Sequence, residues 1–600
     1  MQVAVSELRR QSLKPLSLGG ASVGLDRSPS LLKTGGLRRF TKRRASSVPG
    51  KVPQKPPNVL IYCGDRSDTY TRLSAAVEVC LQPDSYTVYR LLYKNLLSDP
   101  WPDQTACVLV TETESLDETA WKVLEGYFNK GGRLLFVCQN KLLASLTECK
   151  SSRKRSHMLK MACGMGGQAG SLDKDFEAFL KRVCKQLKNK KLFEKHTTKD
   201  LSSGCLYSIV AVREEGSPLL LYMQNGKLKA GALFTDATVE DILSTGSPLI
   251  SEAVERLGLA VNNEQENSND MKLSPGYLFF SDRVSDPRIS EFLHAESAPG
   301  QAAIRFSYGR ADSSEAGDQF LPVFLDFKEH VLFDTKDYFS YLSSDSLGHA
   351  LLFVPVVTST MDVMQTCIRT VPKEEGMVVV ARHQTRGKGR GGNKWLSPPG
   401  CAMFSFCARF SLNSRLGRAP GYLQHLLALS VVDGVCSLPG YQDFPLRIKW
   451  PNDIYYGRTH KMGGVIVNCT VMGTDMICTL GCGVNVSNSQ PTVCLNDLLA
   501  DDLPSLSVEQ VIAVTLTKFE QLVDLFQRKG STWIVPIYYE YWLHSREEVT
   551  LSEMSDEKAV IRGLDVHGYL EVRTQRGKVI SLHPDGNSFD MMKNLIRAKQ

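Results

Sequence analysis

Two stretches of this chain combine residue types that can do chemistry. The first, Gln384 to Trp395, packs four glycines and four cations into twelve residues. Glycines at Gly387, Gly389 and Gly391 let backbone N–H groups approach a ligand closely. Lys388 and Arg390 add fixed charge at the same place, so the fitting guest is a phosphate, a carboxylate, or both. The spacing is not that of a P-loop, which closes on Gly-Lys-Ser/Thr, nor of the dinucleotide fingerprint, which runs into a helix. Trp395 and the Pro398–Pro399 pair stop any helix here. A solvated basic loop has the same composition. The second stretch, Lys449-Trp-Pro-Asn-Asp453, sets a charged pair, Asn452 and a proline inside an apolar strand, which is costly unless used. An edge ion pair between Lys449 and Asp453 is the plain alternative. Downstream come Lys461-Met-Gly-Gly464 and Gly481-Cys-Gly-Val-Asn485.

The elements that must position these residues follow from periodicity. Strands at 376–381 and 401–410 flank the glycine loop. Thr358, Ser359 and Thr360 open a helical stretch ending near Arg369, as caps or as one half of an anion pocket. A long apolar helix is expected over 422–436. A strand over 446–456, interrupted at 450–453, follows it, with strands at 461–467 and 476–486 and helices at 508–529 and 533–544. Short strands with hairpin turns (559–561, 568–572, 578–582) suit a small β-barrel of about 50 residues.

Upstream, strands at 58–63, 86–89, 106–110 and 132–138 alternate with helices at 71–81 and 117–129, the pattern of a parallel α/β sheet. The strand ending in Cys138 resembles the place where class I glutamine amidotransferases carry their nucleophile, but Gln139–Asn140 supply no glycine-flanked elbow. Residues 150–200 are basic and poor in strand signals. Within 205–350 only short strands stand out, at 219–222, 276–280 and 320–324.

Six hundred residues exceed one hydrophobic core and imply three or four domains. No apolar run approaches the roughly 20 residues that span a bilayer, so no membrane partner is expected. The sixteen cysteines are scattered without metal-ligand spacing and fit buried thiols of a reducing compartment. A net charge of +7 is small for this length, and no motif supports nucleic-acid or chromatin binding. Residues 1–56 are basic and nearly without acids, a disordered leader in which Arg38–Arg44 suits a mitochondrial transit peptide or a nuclear signal. The expected location is cytoplasmic and mitochondrial, with the nucleus as an alternative.

The glycine loop, Lys449–Asp453, Lys461–Gly464 and Gly481–Asn485 together resemble the biotin–protein ligase family. The resemblance is strongest over 350–600, weaker over 57–140, and absent over the leader. The domain order is similar to that of the eukaryotic members. It implies an amidotransferase-like α/β region with linkers over 57–330, a class II synthetase-like α+β catalytic domain (mixed sheet with helices) over 350–545, and an SH3-like barrel over 546–600. The implied reaction has two steps. Biotin and ATP, with Mg²⁺, form biotinyl-5′-adenylate, and the biotinyl group then passes to a lysine in the biotin-carrier domain of a carboxylase. The first step brings a carboxylate against a triphosphate, so cations must neutralise like charges at close range. Lys388, Arg390 and Lys461 fit that need, and Trp395 fits a lid that excludes water.

The resemblance further places Ser359, Thr360, Met361 and Gln384 at biotin-contacting positions, although many bacterial members carry Asn where Met361 stands. Asn452 and Asp453 match nucleotide and active-site positions, and Asn485 one close by. Asp453 is expected to hold a cation or to help deprotonate the acceptor lysine, whose ordinary pKa is about 10.4. The implied catalytic set is Lys461, Arg390 and Asp453, with no metal ligands assigned and a monomer or weak dimer expected. Arg386 replaces a small or acidic residue. The nearest alternatives are a lipoate ligase or octanoyltransferase, whose loops carry Arg-Arg-x-Ser-Gly-Gly-Gly, and a non-catalytic, adenylate-sensing regulator.

Overall fold

The computed structural model describes residues 56–98, 101–137, parts of 192–284 and 303–324, 332–370, 376–552, 556–584, 587–590 and 595–598. The basic leader, Cys138 and the 150–155 loop lie outside the described residues. The chain divides into two compact units that meet at 270/271.

In the first unit, strands β1 (Asn58–Tyr62), β2 (Thr87–Arg90), β3 (Thr105–Val110), β4 (Arg133–Val137), β5 (Leu192–Lys199), β6 (Leu206–Arg213), β7 (Leu220–Asn225) and β8 (Gly231–Thr235) form one sheet in the order β2-β1-β3-β4-β8-β7-β6-β5. The first five in that order pair parallel and the last three are antiparallel additions. Helices α1 (Ser67–Cys80), α2 (Glu118–Asn129) and α3 (Leu249–Arg256) belong to this unit. Asp117 caps α2 by accepting from the Ala120 N–H at 2.9 Å, and Trp121, Leu124 and Phe128 line its buried face.

Two expectations are corrected here. The 150–200 region contains a strand, β5, at the edge of the sheet. The boundary expected between 330 and 350 falls at 270 instead. β6 to β8 extend the first sheet, whereas the strands from 276 onward join the second. A short apolar strand has the same local pattern whichever sheet it joins, so pairing decides.

The second unit is built on a ten-stranded mixed sheet flanked by helices. Its strands are β9 (Gly276–Phe280), β10 (Ala303–Ser307), β11 (Phe320–Phe324), β12 (Ala350–Val357), β13 (Met377–Gln384), β14 (Cys401–Ser411), β15 (Leu446–Lys449), β16 (Asp453–Tyr456), β17 (His460–Met472) and β18 (Asp475–Asn485), in the order β10-β11-β9-β12-β13-β14-β18-β17-β16-β15. Its helices include α4 (Thr360–Thr370), α5 (Tyr422–Cys436), α6 (Val508–Lys529) and α7 (Ser531–Tyr541). α5 is apolar on every side and therefore buried. Its single acid, Asp433, is matched by Lys518 Nζ of α6 at 3.0 Å. α6 starts on the Ser507 cap and stops at Gly530, with φ +82°.

The 446–456 segment is a hairpin rather than one interrupted strand. β15 and β16 pair antiparallel with Lys449 opposite Asp453, and the Trp450–Pro451 peptide is cis. The helix expected over 533–544 ends at Tyr541, because the Leu543 N–H pairs with the Ile448 carbonyl of β15 at 3.1 Å instead of continuing the helix. Strands β19 (Glu548–Leu551), β20 (Glu557–Leu564), β21 (Leu570–Thr574), β22 (Val579–Leu582), β23 (Asn587–Asp590) and β24 (Leu595–Ala598) form a third sheet within this same unit. Its pairs are antiparallel except for β19 with β24.

Candidate active site

The glycine loop leaves the end of β13 beside the start of α4. The Thr385 and Arg386 N–H groups donate to the Val357 and Thr358 carbonyls, which brings Gln384 against the α4 N-terminus. Around it lies a buried polar cluster of Ser359, Thr360, Gln384, Ser397 and Ser405. Gln384 Oε1 accepts from the Thr360 N–H at 2.8 Å and the Thr360 hydroxyl at 3.2 Å, while its Nε2 donates to Ser397 Oγ at 2.9 Å. With the Thr360 proton directed at Gln384, Ser405 Oγ donates to Thr360 Oγ1 at 2.8 Å. Such a chain is affordable in a core only when its members satisfy one another.

Met361 is buried beside this cluster, packed on the backbone of Gly481, where an added Cβ would stand 2.6 Å from its sulfur. Gly483 makes the same room for Trp395, at 2.6 Å from Nε1. The two glycines of β18 are thus a flat floor under two apolar walls. Trp395 Nε1 is itself buried without an acceptor among the described residues.

The charged half adjoins this floor. Asp453 Oδ1 meets Lys461 Nζ at 2.7 Å and its Oδ2 meets Lys449 Nζ at 3.3 Å, in a largely buried setting. Two ammoniums against one carboxylate leave one positive charge. Lys461 Nζ also stands 5.5 Å from the centre of the Trp395 ring, joining the charge to the glycine loop. The ion pair weighed as an alternative for Lys449 and Asp453 is therefore present, with Lys461 as a third member. Both carboxylate oxygens are taken by ammonium donors, so Asp453 anchors two cations.

Arg390 Nη1 donates to Asn452 Oδ1 at 3.1 Å, and Nη2 donates to the Pro584 carbonyl in the turn after β22 (Val579–Leu582). Asn452 Nδ2 donates to the Val465 carbonyl at 2.6 Å, which holds it between loop and sheet. Lys388 pairs with Asp362 of α4. Within the loop the Gly389 N–H donates to the Asn393 carbonyl and the Trp395 N–H to that of Gly387. The loop is a closed tongue, and Gly391 turns it at φ +61°. Asn485 stands behind the site, with Nδ2 donating to Thr492 Oγ1 at 3.1 Å and Oδ1 accepting from Asn488 at 3.0 Å. It fastens the turn after β18.

Three residues escaped the reading of the sequence. Ser397 and Ser405 complete the polar cluster, and single serines in apolar runs carry no signal of their own. His544 supports the turn that presents Asn452 and Asp453. Its Nε2 accepts from the Trp450 N–H at 3.1 Å, so the ring proton sits on Nδ1, which donates to Glu547 Oε2 at 2.8 Å. Burial holds its pKa below the ordinary value, against the opposing pull of Glu547. Burial raises Glu547, but the His544 and Arg458 hydrogen bonds outweigh it and leave that carboxyl below its usual range.

Residues 353–485, which contain nearly all of these groups, match the biotin/lipoate A/B protein ligase family. The human biotin–protein ligase is 33% identical over 91% of this chain and 78% of its own length. This chain belongs to the biotin–protein ligase family. The biotin–protein ligase of Schizosaccharomyces pombe is 26% identical over 90% of this chain and all of its own. A solved Aquifex aeolicus biotin protein ligase, in complex with biotin and ATP, is 25% identical, covers 39% of this chain and 96% of its own, and has a TM-score of 0.32. Membership makes this chain a ligase, and the matches to the two long relatives extend well beyond the unit that carries the active site.

Proposed function

We infer that this chain is an ATP-dependent biotin–protein ligase that forms biotinyl-5′-adenylate and transfers biotin to a lysine of biotin-carrier domains in carboxylases. The observation that carries this reading is the junction of the hydroxyl–amide cluster around Gln384 with the Lys449–Asp453–Lys461 group. A neutral ureido ring needs hydrogen-bond donors and acceptors in an apolar cage, and Ser359, Thr360, Gln384, Ser397 and Ser405 line that end. The carboxylate at the other end needs positive charge where it meets the α-phosphate, which Lys461 supplies, already oriented by Asp453. Arg390 and Lys388 lie on the tongue on the nucleotide side, and Trp395 covers the reacting centre against water.

Mg²⁺ enters with ATP as part of the nucleotide substrate. Among the described residues no group of three or more His, Cys, Asp or Glu side chains could hold a metal, and Asp453 is engaged by two lysines. The N-terminal unit is assigned to recognising the acceptor protein, on the ground that the adenylation groups all lie in the second unit. No described helix is long and apolar enough to cross a membrane.

The deciding experiment is exchange of labelled pyrophosphate into ATP with biotin, lipoate or octanoate. Exchange with biotin alone, followed by label transfer to a carrier domain, is expected. Exchange with lipoate in its place, or none with any acid in folded protein, overturns the reading.

A further inference from the structure

Two facing thiols at the far end of the β17–β18 hairpin have no part in adenylation. Cys469 and Cys478 are directly opposite in the antiparallel register, and their sulfurs are 3.0 Å apart. Opposed residues in such a pair have Cα atoms about 4.5–5.5 Å apart, inside the span of a disulfide. Cys469 is exposed and Cys478 is buried. The surrounding tip, from Asn468 to Thr474, is exposed throughout. Cys407 on the neighbouring β14 does not compete, because it packs on the opposite face of the sheet, with Cys367. The hydrogen bond to Cys469, with burial second, holds the Cys478 thiol far above its ordinary range. Cys478 therefore keeps its proton, and the exposed sulfur meets an oxidant first.

We propose that Cys469 and Cys478 are a reversible oxidation site, at which hydrogen peroxide converts the dithiol to a cross-strand disulfide. The Cys469 thiolate attacks one peroxide oxygen. The O–O bond breaks, the sulfur becomes a sulfenic acid, and the departing hydroxide takes a proton from solvent. The Cys478 sulfur then attacks the sulfenic sulfur, the S–O bond breaks, and the second hydroxide leaves as water with the Cys478 proton. Two electrons pass from the two sulfurs to one peroxide, which ends as two waters. Contact between the sulfurs lets the second step outrun further oxidation of Cys469 to sulfinic acid. The site lies eight positions from Lys461 along β17, roughly 27 Å of extended strand, so the cross-link leaves adenylation intact and guards the exposed thiol.

The test is peroxide treatment of the full chain, alkylation, cleavage before Asp475 and mass spectrometry. The expected product is a linked pair of peptides lighter by two hydrogens, separated by dithiothreitol, from protein whose pyrophosphate exchange is unchanged. In Cys478→Ser, Cys469 should advance to sulfinic and sulfonic acid. Cys469→Ser, a change at an exposed position that spares the core, should leave Cys478 unmodified. Equal rates of sulfinic acid formation in wild type and Cys478→Ser, or wild type with no linked peptides, overturn the proposal.

Discussion

Lys461 makes two kinds of contact at once, an ion pair with Asp453 and a cation–π approach to Trp395. Replacing it with alanine removes the charge placed at the reacting carbonyl. Pyrophosphate exchange is expected to fall by roughly a hundred- to a thousand-fold, as when one preorganised charge-stabilising donor is lost. Exchange within experimental error of wild type would remove Lys461 from the chemistry. Because Lys449 stays behind to pair with Asp453, the folded protein should survive, and a thermal melt run alongside separates the two effects. Lys461 was legible because charge is expensive inside an apolar strand, and Arg390 and the loop glycines because a turn between strands does not need four glycines and four cations in twelve residues. The roles of Ser397 and Ser405 were not. A serine costs little anywhere, and only the fold shows that these two close a hydrogen-bonded chain with Thr360 and Gln384.

At the scale of elements, β18 is the floor of the pocket, and its two glycines set how deep Met361 and Trp395 sit. Gly481→Ala drives a methyl against the Met361 sulfur. Overpacking of this kind should raise KM for biotin by roughly tenfold, about 1.4 kcal/mol, with a smaller change in kcat. Met361→Ala in the same chain should restore part of the loss, and failure of that rescue would show that the floor is not the reason for these glycines. The turn at 450–452 has a titrating support. His544 faces Glu547, with Arg458 and Lys449 nearby, and accepts the Trp450 N–H only while its Nε2 is unprotonated. Its folded pKa lies below the ordinary 6.5, so the unfolded chain takes up the proton first as pH falls past that value. Its contribution to stability is fully present above pH 6.5 and declines as pH falls below it, and the Trp450 hydrogen bond itself is lost only at the lower folded pKa. His544→Gln, which retains an acceptor and cannot titrate, should flatten the acid limb of the exchange profile. An unchanged acid limb would assign that limb elsewhere. Helix boundaries near this turn were misjudged because Leu543 pairs with Ile448, a partner almost a hundred residues away in sequence.

At the scale of the molecule, the third sheet is tied to the catalytic core by polar bonds as well as packing. His425 of α5 donates from Nε2 to the Gly568 carbonyl at 2.8 Å and accepts the Tyr538 hydroxyl at 3.1 Å, and burial lowers its pKa from 6.5 to about 4. That shift contributes stability of the order of 3 kcal/mol, fully present above pH 6.5 and lost as pH falls toward 4. Urea unfolding at pH 7 and pH 4.5 should differ accordingly, and the difference should shrink in His425→Gln. Deleting residues 1–270 should preserve biotin-dependent exchange while weakening use of a carrier domain. Deleting residues 1–330 also removes β9 to β11 and bares the β12 edge that pairs with β9, so that shorter chain should melt lower or aggregate. Equal stability of the two truncations would return the boundary to 330. The sequence alone determined the family, the reaction class and the order of elements from 350 onward, because phosphate chemistry demands residues that stand out locally. Only the tertiary structure decided which sheet claimed the short strands between 205 and 330, that Asp453 serves two lysines, and that Arg390 reaches a carbonyl in the turn after β22. Those outcomes rest on pairings between distant segments, and a strand or a carboxylate has the same local pattern whichever partner it finds.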